Sequence, residues 1–176
     1  MWPSGTFAFL LFGVCLGHLA YFANDAHYRA LLIWLLICVE LNDVLGFVVG
    51  KTLGRRRFMP NTSPNKTAAG AIGSLLLTVL IAAALGSIVF RGTPMEHPVH
   101  LATIGLIIGV TGQVGDLLLS SIKRDLGIKD MAATIPGHGG MLDRFDSLLL
   151  AAPASFHYIH YFRGIGLDQQ THIFFG

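Results

Sequence analysis

Residues 134–146 read TIPGHGGMLDRFD, which sets His138, Asp143, Arg144 and Asp146 behind a Pro-Gly and a Gly-Gly in a largely apolar chain. Such a stretch is either a polar connector between hydrophobic segments or a set of charged groups aimed at one ligand. Asp143 and Asp146 are three apart and share a face if a helix has begun there. With Asp116 nearby, they would suit a hard divalent cation such as Mg²⁺, which takes oxygen ligands and usually keeps waters that phosphate oxygens can replace. Lys123, Arg124 and Arg144 offer positive charge for phosphate, and arginine can bind it bidentately. Gly137, Gly139 and Gly140 remove side chains where backbone must approach a ligand closely. A second stretch, SPNKT (Ser63 to Thr67), brings two hydroxyls, an amide and Lys66 to the point where a helix is expected to begin at Ala68. Backbone N–H groups at a helix N-terminus favour anions. Carboxylates, cations and a helix start together describe a metal–polyphosphate site.

These groups must be positioned by elements made for lipid. The chain has 176 residues, of which 53% are hydrophobic and 12% charged, about half the charge of an ordinary soluble domain. Apolar spans run over 7–22, 30–50, 68–90, 99–119 and 145–162. A membrane-crossing helix needs roughly 20 residues, so the first span is marginal and the other four are long enough. The expected fold class is an all-α integral membrane protein of about five transmembrane helices, a single polytopic domain over 1–176. Cys15 and Cys38 lie in apolar runs and read as buried hydrophobes, not a disulfide. The net charge of +2 carries little information, and the scattered basic residues exclude a nucleic-acid footprint.

Lys51, Arg55, Arg56, Arg57 and Lys66 fill one connection, and Lys123, Arg124, Lys129 and Arg144 fill another. The positive-inside rule places both in the cytoplasm. The expected localisation is therefore a cell membrane, multi-pass, with the polar site facing the cytoplasm. Glu40, Asn42, Asp43, Asp116, Asp143 and Asp146 then converge on one membrane depth. A carboxylate at the bilayer centre costs about 2.5–3.5 kcal/mol on insertion scales, so a cavity open to the cytoplasm is the economical account. Singly, such acids can also snorkel, and Asp143 can serve as an N-cap. HPVH (His97 to His100) could form a metal pair but reads first as a turn, polar loop histidines being common. FHYIHYF (Phe156 to Phe162) reads as an interfacial aromatic belt, and Gly70 and Gly73 as helix-packing positions.

The stretch SSIKRDLGIKDMAATIPGHGGMLDRFDS (Ser120 to Ser147) resembles the C-terminal signature of the phosphatidate cytidylyltransferases, or CDP-diacylglycerol synthases. Ser120, Lys123, Arg124, Lys129, Asp130, Pro136 to Gly140, Asp143, Arg144 and Asp146 fill its fixed positions. Gly115-Asp116 is similar to the family's G-D-L element. NDVLGFVVGKTLGRRRFMPNTSPNKTAAG (Asn42 to Gly70) is similar to its D-x-x-x-Y/F…S-P-x-K-T block. The likeness covers about 40–150, the C-terminal catalytic part of the family.

The resemblance implies Mg-dependent transfer of a cytidylyl group from CTP to phosphatidate, giving CDP-diacylglycerol and pyrophosphate. It implies Asp116, Asp143 and Asp146 as metal-linked, with Asp43 a further candidate, and Lys123, Arg124 and Arg144 as phosphate-holding. Ser63, Lys66, Thr67 and Ser120 would contact substrate; His138 is either a phosphate donor or a turn residue. A homodimer is implied by the resemblance alone. Two departures stand out: Ala69 and Leu119 occupy positions where the family usually has glutamate. Fewer helices precede Ala30 than is usual, so the chain reads as a short paralogue or a C-terminal piece of a longer protein. Two other readings remain: an inactive or divergent paralogue with another lipid-phosphate acceptor, and an ion-coupled transporter. The transporter leaves the SPNKT and PGHGG loops unexplained.

Overall fold

The computed structural model describes residues 9–23, 25, 27–59, 62–128 and 145–163. A π-helical turn, Leu10–Val14, leads into α1 (Cys15–Ala23). Then come α2 (Tyr28–Leu53), β1 (Arg57–Met59), β2 (Ser63–Thr67), α3 (Ala68–Val89), a 3₁₀ turn (Pro94–Glu96), α4 (Pro98–Asp125) and α5 (Leu148–Arg163). The fold is that of an all-α membrane protein, each expected apolar span becoming a helix. Among the described residues, α2, α3 and α4 are the 3 helices long and apolar enough to cross a bilayer, while Leu10–Ala23 is shorter and α5 has 16 residues.

One local expectation is extended and one is corrected. SPNKT leads into a helix at Ala68 as expected, and it also forms β2, antiparallel to β1, with Arg57 opposite Thr67 and Met59 opposite Ser63. The last helix starts at Leu148, not near Arg144. Asp146 therefore stands in the turn before α5, where its Oδ1 accepts from Ser147 N at 2.8 Å; the expected pairing with Asp143 lies outside the described residues.

The packing is inverted relative to a soluble bundle. On α3 the buried residues are Gly70, Ser74, Thr78, Ala82 and Gly86, all four apart, while Ile72, Leu76, Leu80 and Ile88 point outward. Lipid tails solvate large apolar side chains as well as a protein core does, so small residues that let backbones close up make the interface. Gly70 and Gly73 act this way: a Cβ on Gly70 would stand 3.0 Å from Gly50 Cα, and one on Gly73 would stand 2.6 Å from a Val49 methyl. On the other side of α3, a Cβ on Gly105 of α4 would come within 2.8 Å of Val79 Cα. Large side chains fill the end of the bundle remote from β1 and β2, where Trp34 meets Phe90 edge to face and donates to Ala82 O at 3.2 Å.

That remote end is tied by charge. Arg163 Nη1 and Nη2 donate to the two carboxylate oxygens of Asp25 at 3.1 and 3.3 Å, and His27 N donates to Asp25 Oδ1 at 2.7 Å. The link joins the α1–α2 connection to the end of α5. His97 caps α4 by accepting from Val99 N, and His100 shares a hydrogen bond with the Tyr158 hydroxyl at 2.9 Å, so both histidines have structural partners.

Asp25 is 4% exposed, and removing one member of a buried pair strands the other. Asp25→Asn should lower stability in detergent by about 3–5 kcal/mol, read as a fall in thermal midpoint. The double variant Asp25→Asn/Arg163→Met should recover part of that loss; a single variant as stable as the parent would refute the pairing.

Candidate active site

At the opposite end of the bundle, α2 finishes, α3 and α5 begin, and α4 enters its last turns. There α2, β2, α3 and α4 line a cavity of about 220 Å³ whose polar walls include Asn42, Asp43, Asn65, Lys66, Gln113 and Asp116. Three features of the sequence bring these side chains together. Lys66 is carried in by the β1–β2 ribbon, which folds back so that Ala68 N bonds to Arg56 O at 3.1 Å. Gln113, Asp116 and Ser120 are spaced three and four apart, so they share one face of α4. Gly115 lets the turn before α5 press against α4: a Cβ there would stand 2.6 Å from Asp146 O.

Charge dominates the cavity. Lys66 Nζ is ion-paired with Asp116 Oδ2, and Ser120 Oγ donates to Asp116 Oδ1 at 3.2 Å. Ser147, almost wholly buried, joins the two remaining acids: its Oγ donates to Asp43 Oδ2 at 2.6 Å and its N to Asp146 Oδ1. Asp43, Asp116 and Asp146 lie close enough to act on one another electrostatically, with Lys66 the cation felt by both Asp43 and Asp146, and Lys123 also acting on Asp146. Three carboxylates from three elements thus gather near Lys66, with Lys123 beside Asp146.

Beneath them lies a polar floor. Asn42 donates to Gly109 O at 3.3 Å and accepts from Thr78 Oγ1 at 3.1 Å. Gln113 Nε2 donates to Ala71 O at 2.9 Å and Ser74 Oγ at 3.1 Å. Asn42 ties α2 to α3 and α4, and Gln113 ties α4 to α3, fixing the separation of the three helices beside the acids. Buried polar groups of this kind must be satisfied within the protein, because lipid offers no partner.

The expected site residues sort clearly. Asp43, Lys66, Asp116, Ser120 and Asp146 form one cluster. Lys123 lies on the last turns of α4, half-buried, and Arg124 beside it is exposed. Thr67 lines the cavity, but its Oγ1 accepts from Gly70 N at 3.1 Å and so caps α3. Ser63 sits opposite Met59 in the ribbon and is not among the cavity walls. His138, Asp143 and Arg144 lie outside the described residues. Leu119, where a glutamate was expected, is fully buried.

Among the described residues no three His, Cys, Asp or Glu side chains stand together tightly enough to hold a metal ion by themselves. The donor type nevertheless suits a hard cation, since every acid in the cluster is a carboxylate and the walls add amide oxygens. Sequence reasoning passed over Ser147, Gln113, Ser74 and Thr78. Gln113 carried a usable signal, being a lone amide three residues before Asp116 in an apolar span. Ser74 and Thr78 carried little, because small hydroxyls in a lipid-facing helix serve packing just as often.

Comparison with known proteins follows the same outline. The sequence model of the cytidylyltransferase family matches residues 1–162. A phosphatidate cytidylyltransferase of Helicobacter pylori is 41% identical over 145 residues, 82% of this chain and 52% of the relative. That of Bacillus subtilis is 34% identical over 149 residues, 84% of this chain and 54% of the relative. The uncharacterized Escherichia coli protein YnbB is 40% identical over 131 residues, 74% of this chain and 43% of the relative. The chain spans about half the length of the curated relatives it matches.

If Gly115 sets the distance between α4 and the Asp146 turn, Gly115→Ala should destabilise the protein by about 1–3 kcal/mol through overpacking. Gly17→Ala, where a Cβ would meet nothing within 4 Å, should leave the thermal midpoint unchanged. Equal midpoints for the two variants would disprove the close approach.

Proposed function

This chain belongs to the cytidylyltransferase family, and we propose that it carries the nucleotide-phosphate site of a CTP:phosphatidate cytidylyltransferase. The observation that bears most weight is the cavity at one end of a membrane bundle whose walls carry Asp43, Asp116 and Lys66, with Asp146 joined to Asp43 through Ser147. A polyphosphate needs cations, and a lipid phosphate needs a site at headgroup depth; the cavity offers both conditions. The names of the Helicobacter pylori and Bacillus subtilis relatives supply the acceptor. Family membership sets the transporter reading aside.

In the proposed reaction a phosphate oxygen of phosphatidate attacks the α-phosphorus of CTP in line. The bond from that phosphorus to the bridging oxygen breaks, pyrophosphate leaves, and CDP-diacylglycerol remains in the membrane. A phosphomonoester is already ionised at neutral pH, so no general base has to be assigned. The protein's contribution is positioning and charge neutralisation. Lys66, paired with Asp116 in the structure, would turn its ammonium to a phosphate oxygen when substrate arrives, and Lys123 would add positive charge for the phosphates. Asp43, Asp116 and Asp146, with Asp143 from the sequence, would hold Mg²⁺ jointly with substrate phosphates; the ion would offset phosphate charge. Ser147 keeps Asp43 and the Asp146 turn in register, and Asn42 and Gln113 hold the helices that carry them. Following the positive-inside rule, the cavity opens to the cytoplasm.

One observation favours a divergent acceptor as the second reading: the fully buried Leu119 removes a family carboxylate.

The test is Mg²⁺-dependent release of pyrophosphate from CTP in mixed micelles with and without phosphatidate. Lipid-dependent release is expected, with kcat/KM reduced at least about 100-fold by Lys66→Met and by Asp116→Asn, both remaining folded and monodisperse. Release that ignores both substitutions would refute the site. Bound CTP without release on phosphatidate would move the divergent acceptor ahead.

A further inference from the structure

The last turn of α2 and the ribbon that follows carry Lys51, Arg55, Arg56 and Arg57, with no acidic residue between Asp43 and Glu96 in the sequence. All four cations are exposed. Among the described residues none of them enters an ion pair, although Lys51 lies 5.8 Å from the centre of the Phe47 ring. Two apolar side chains stand among them, Leu53 at 70% exposure and Met59 at 42%. The cavity chemistry uses none of these residues, and an unpaired cluster of this density is not needed to hold a three-residue strand against its partner.

The position decides what would cover it. The cations begin where α2, a helix long and apolar enough to cross a bilayer, leaves its apolar stretch. Clusters of four or more Lys and Arg directly at such a helix end attract anionic lipid head groups, each contributing about 1 kcal/mol near the surface. The exposed Leu53 and Met59 fit that setting as well: beside a bilayer they reach acyl chains while the arginines stay at phosphate level. A soluble polyanion would match the charges and leave both apolar side chains in water.

We propose that the end of α2 and the β1–β2 ribbon form a docking surface for the head groups of anionic phospholipids, adjoining the cavity and separate from its carboxylates. The ribbon also connects the two places, since β2 carries Lys66 into the cavity. Anionic lipid would therefore be concentrated directly beside the pocket, and the ribbon would be held flat at the membrane surface.

The surface can be tested without any assay of turnover. Spin-labelled phosphatidic acid and spin-labelled phosphatidylcholine are incorporated in turn into phosphatidylcholine bilayers containing the full chain. The motionally restricted fraction of each label gives the preference of the protein's boundary for anionic lipid. The parent protein should prefer phosphatidic acid, and Arg55→Gln/Arg56→Gln/Arg57→Gln should lower that preference at least about threefold. Salt on the order of 0.5 M should do the same, because exposed charges are screened. Lys51→Gln/Arg55→Gln, which leaves both strands untouched, should give a smaller loss and serves if the triple variant does not fold. Lys66→Met should retain the preference. An unchanged preference in the folded ribbon variants would overturn the proposal. So would a preference abolished by Lys66→Met alone, which would assign it to the cavity, or ribbon variants that lose CTP binding while keeping lipid selectivity.

Discussion

The site depends on one electrostatic constraint: three carboxylates from separate elements gather at one end of an apolar bundle, two of them on the walls of a small cavity, and they need positive charge. Like charges at close range in a medium of low dielectric repel strongly, and lipid supplies no counterion. Lys66 meets part of that need through Asp116, while Ser120 and Ser147 donate to the acids without adding charge. Lys123 acts on Asp146 as well. A divalent cation bringing phosphate with it, as proposed above, would add positive charge to the same cluster. The same lysine that pairs with Asp116 is the group a phosphate would attract.

The packing of the helices follows from the need to bring those acids together. If α2, α3 and α4 met through large side chains, their axes would separate and the amide bridges of Asn42 and Gln113 would not reach. Glycine and alanine along α3 let the backbones close to a distance those bridges can span. Gly115 does the same between α4 and the turn before α5. At the opposite end, where no acid cluster has to be assembled, aromatic side chains and the Asp25–Arg163 pair hold the helices instead. The molecule thus has a small-residue, polar half and a bulky, aromatic half.

The helices were legible in the sequence because apolar runs interrupted by Arg, Lys and Pro leave few alternatives, and Ala68 as the start of α3 came out to the residue. The gathering of Asp43, Asp116 and Asp146 was legible from their common level along the apolar spans, since a charge in an apolar run is expensive enough to demand a reason, and Lys66 was legible from the SPNKT stretch before α3. What could not be read was the ribbon: RFM and SPNKT are too short for periodicity, and Pro64 argues against a strand. The start of α5 was misplaced by a few residues because Asp143 and Arg144 resemble a helix opening, whereas Asp146 spends its carboxylate on the turn. Ser147 was missed because one serine beside a signature carries no periodic or charge signal until its partner, 104 positions away, is known.

The central claim is that Lys66 and Asp116 act as one unit in binding a nucleotide's phosphates. Equilibrium binding of CTP in the presence of Mg²⁺ to the parent protein, Lys66→Met, Asp116→Asn and the double variant measures this directly. The account predicts that each single substitution weakens binding at least about tenfold and that the double variant is little worse than the weaker single, a coupling of about 1 kcal/mol or more. Additive losses would mean that the two residues act apart, and undiminished CTP binding in either single variant would contradict the account.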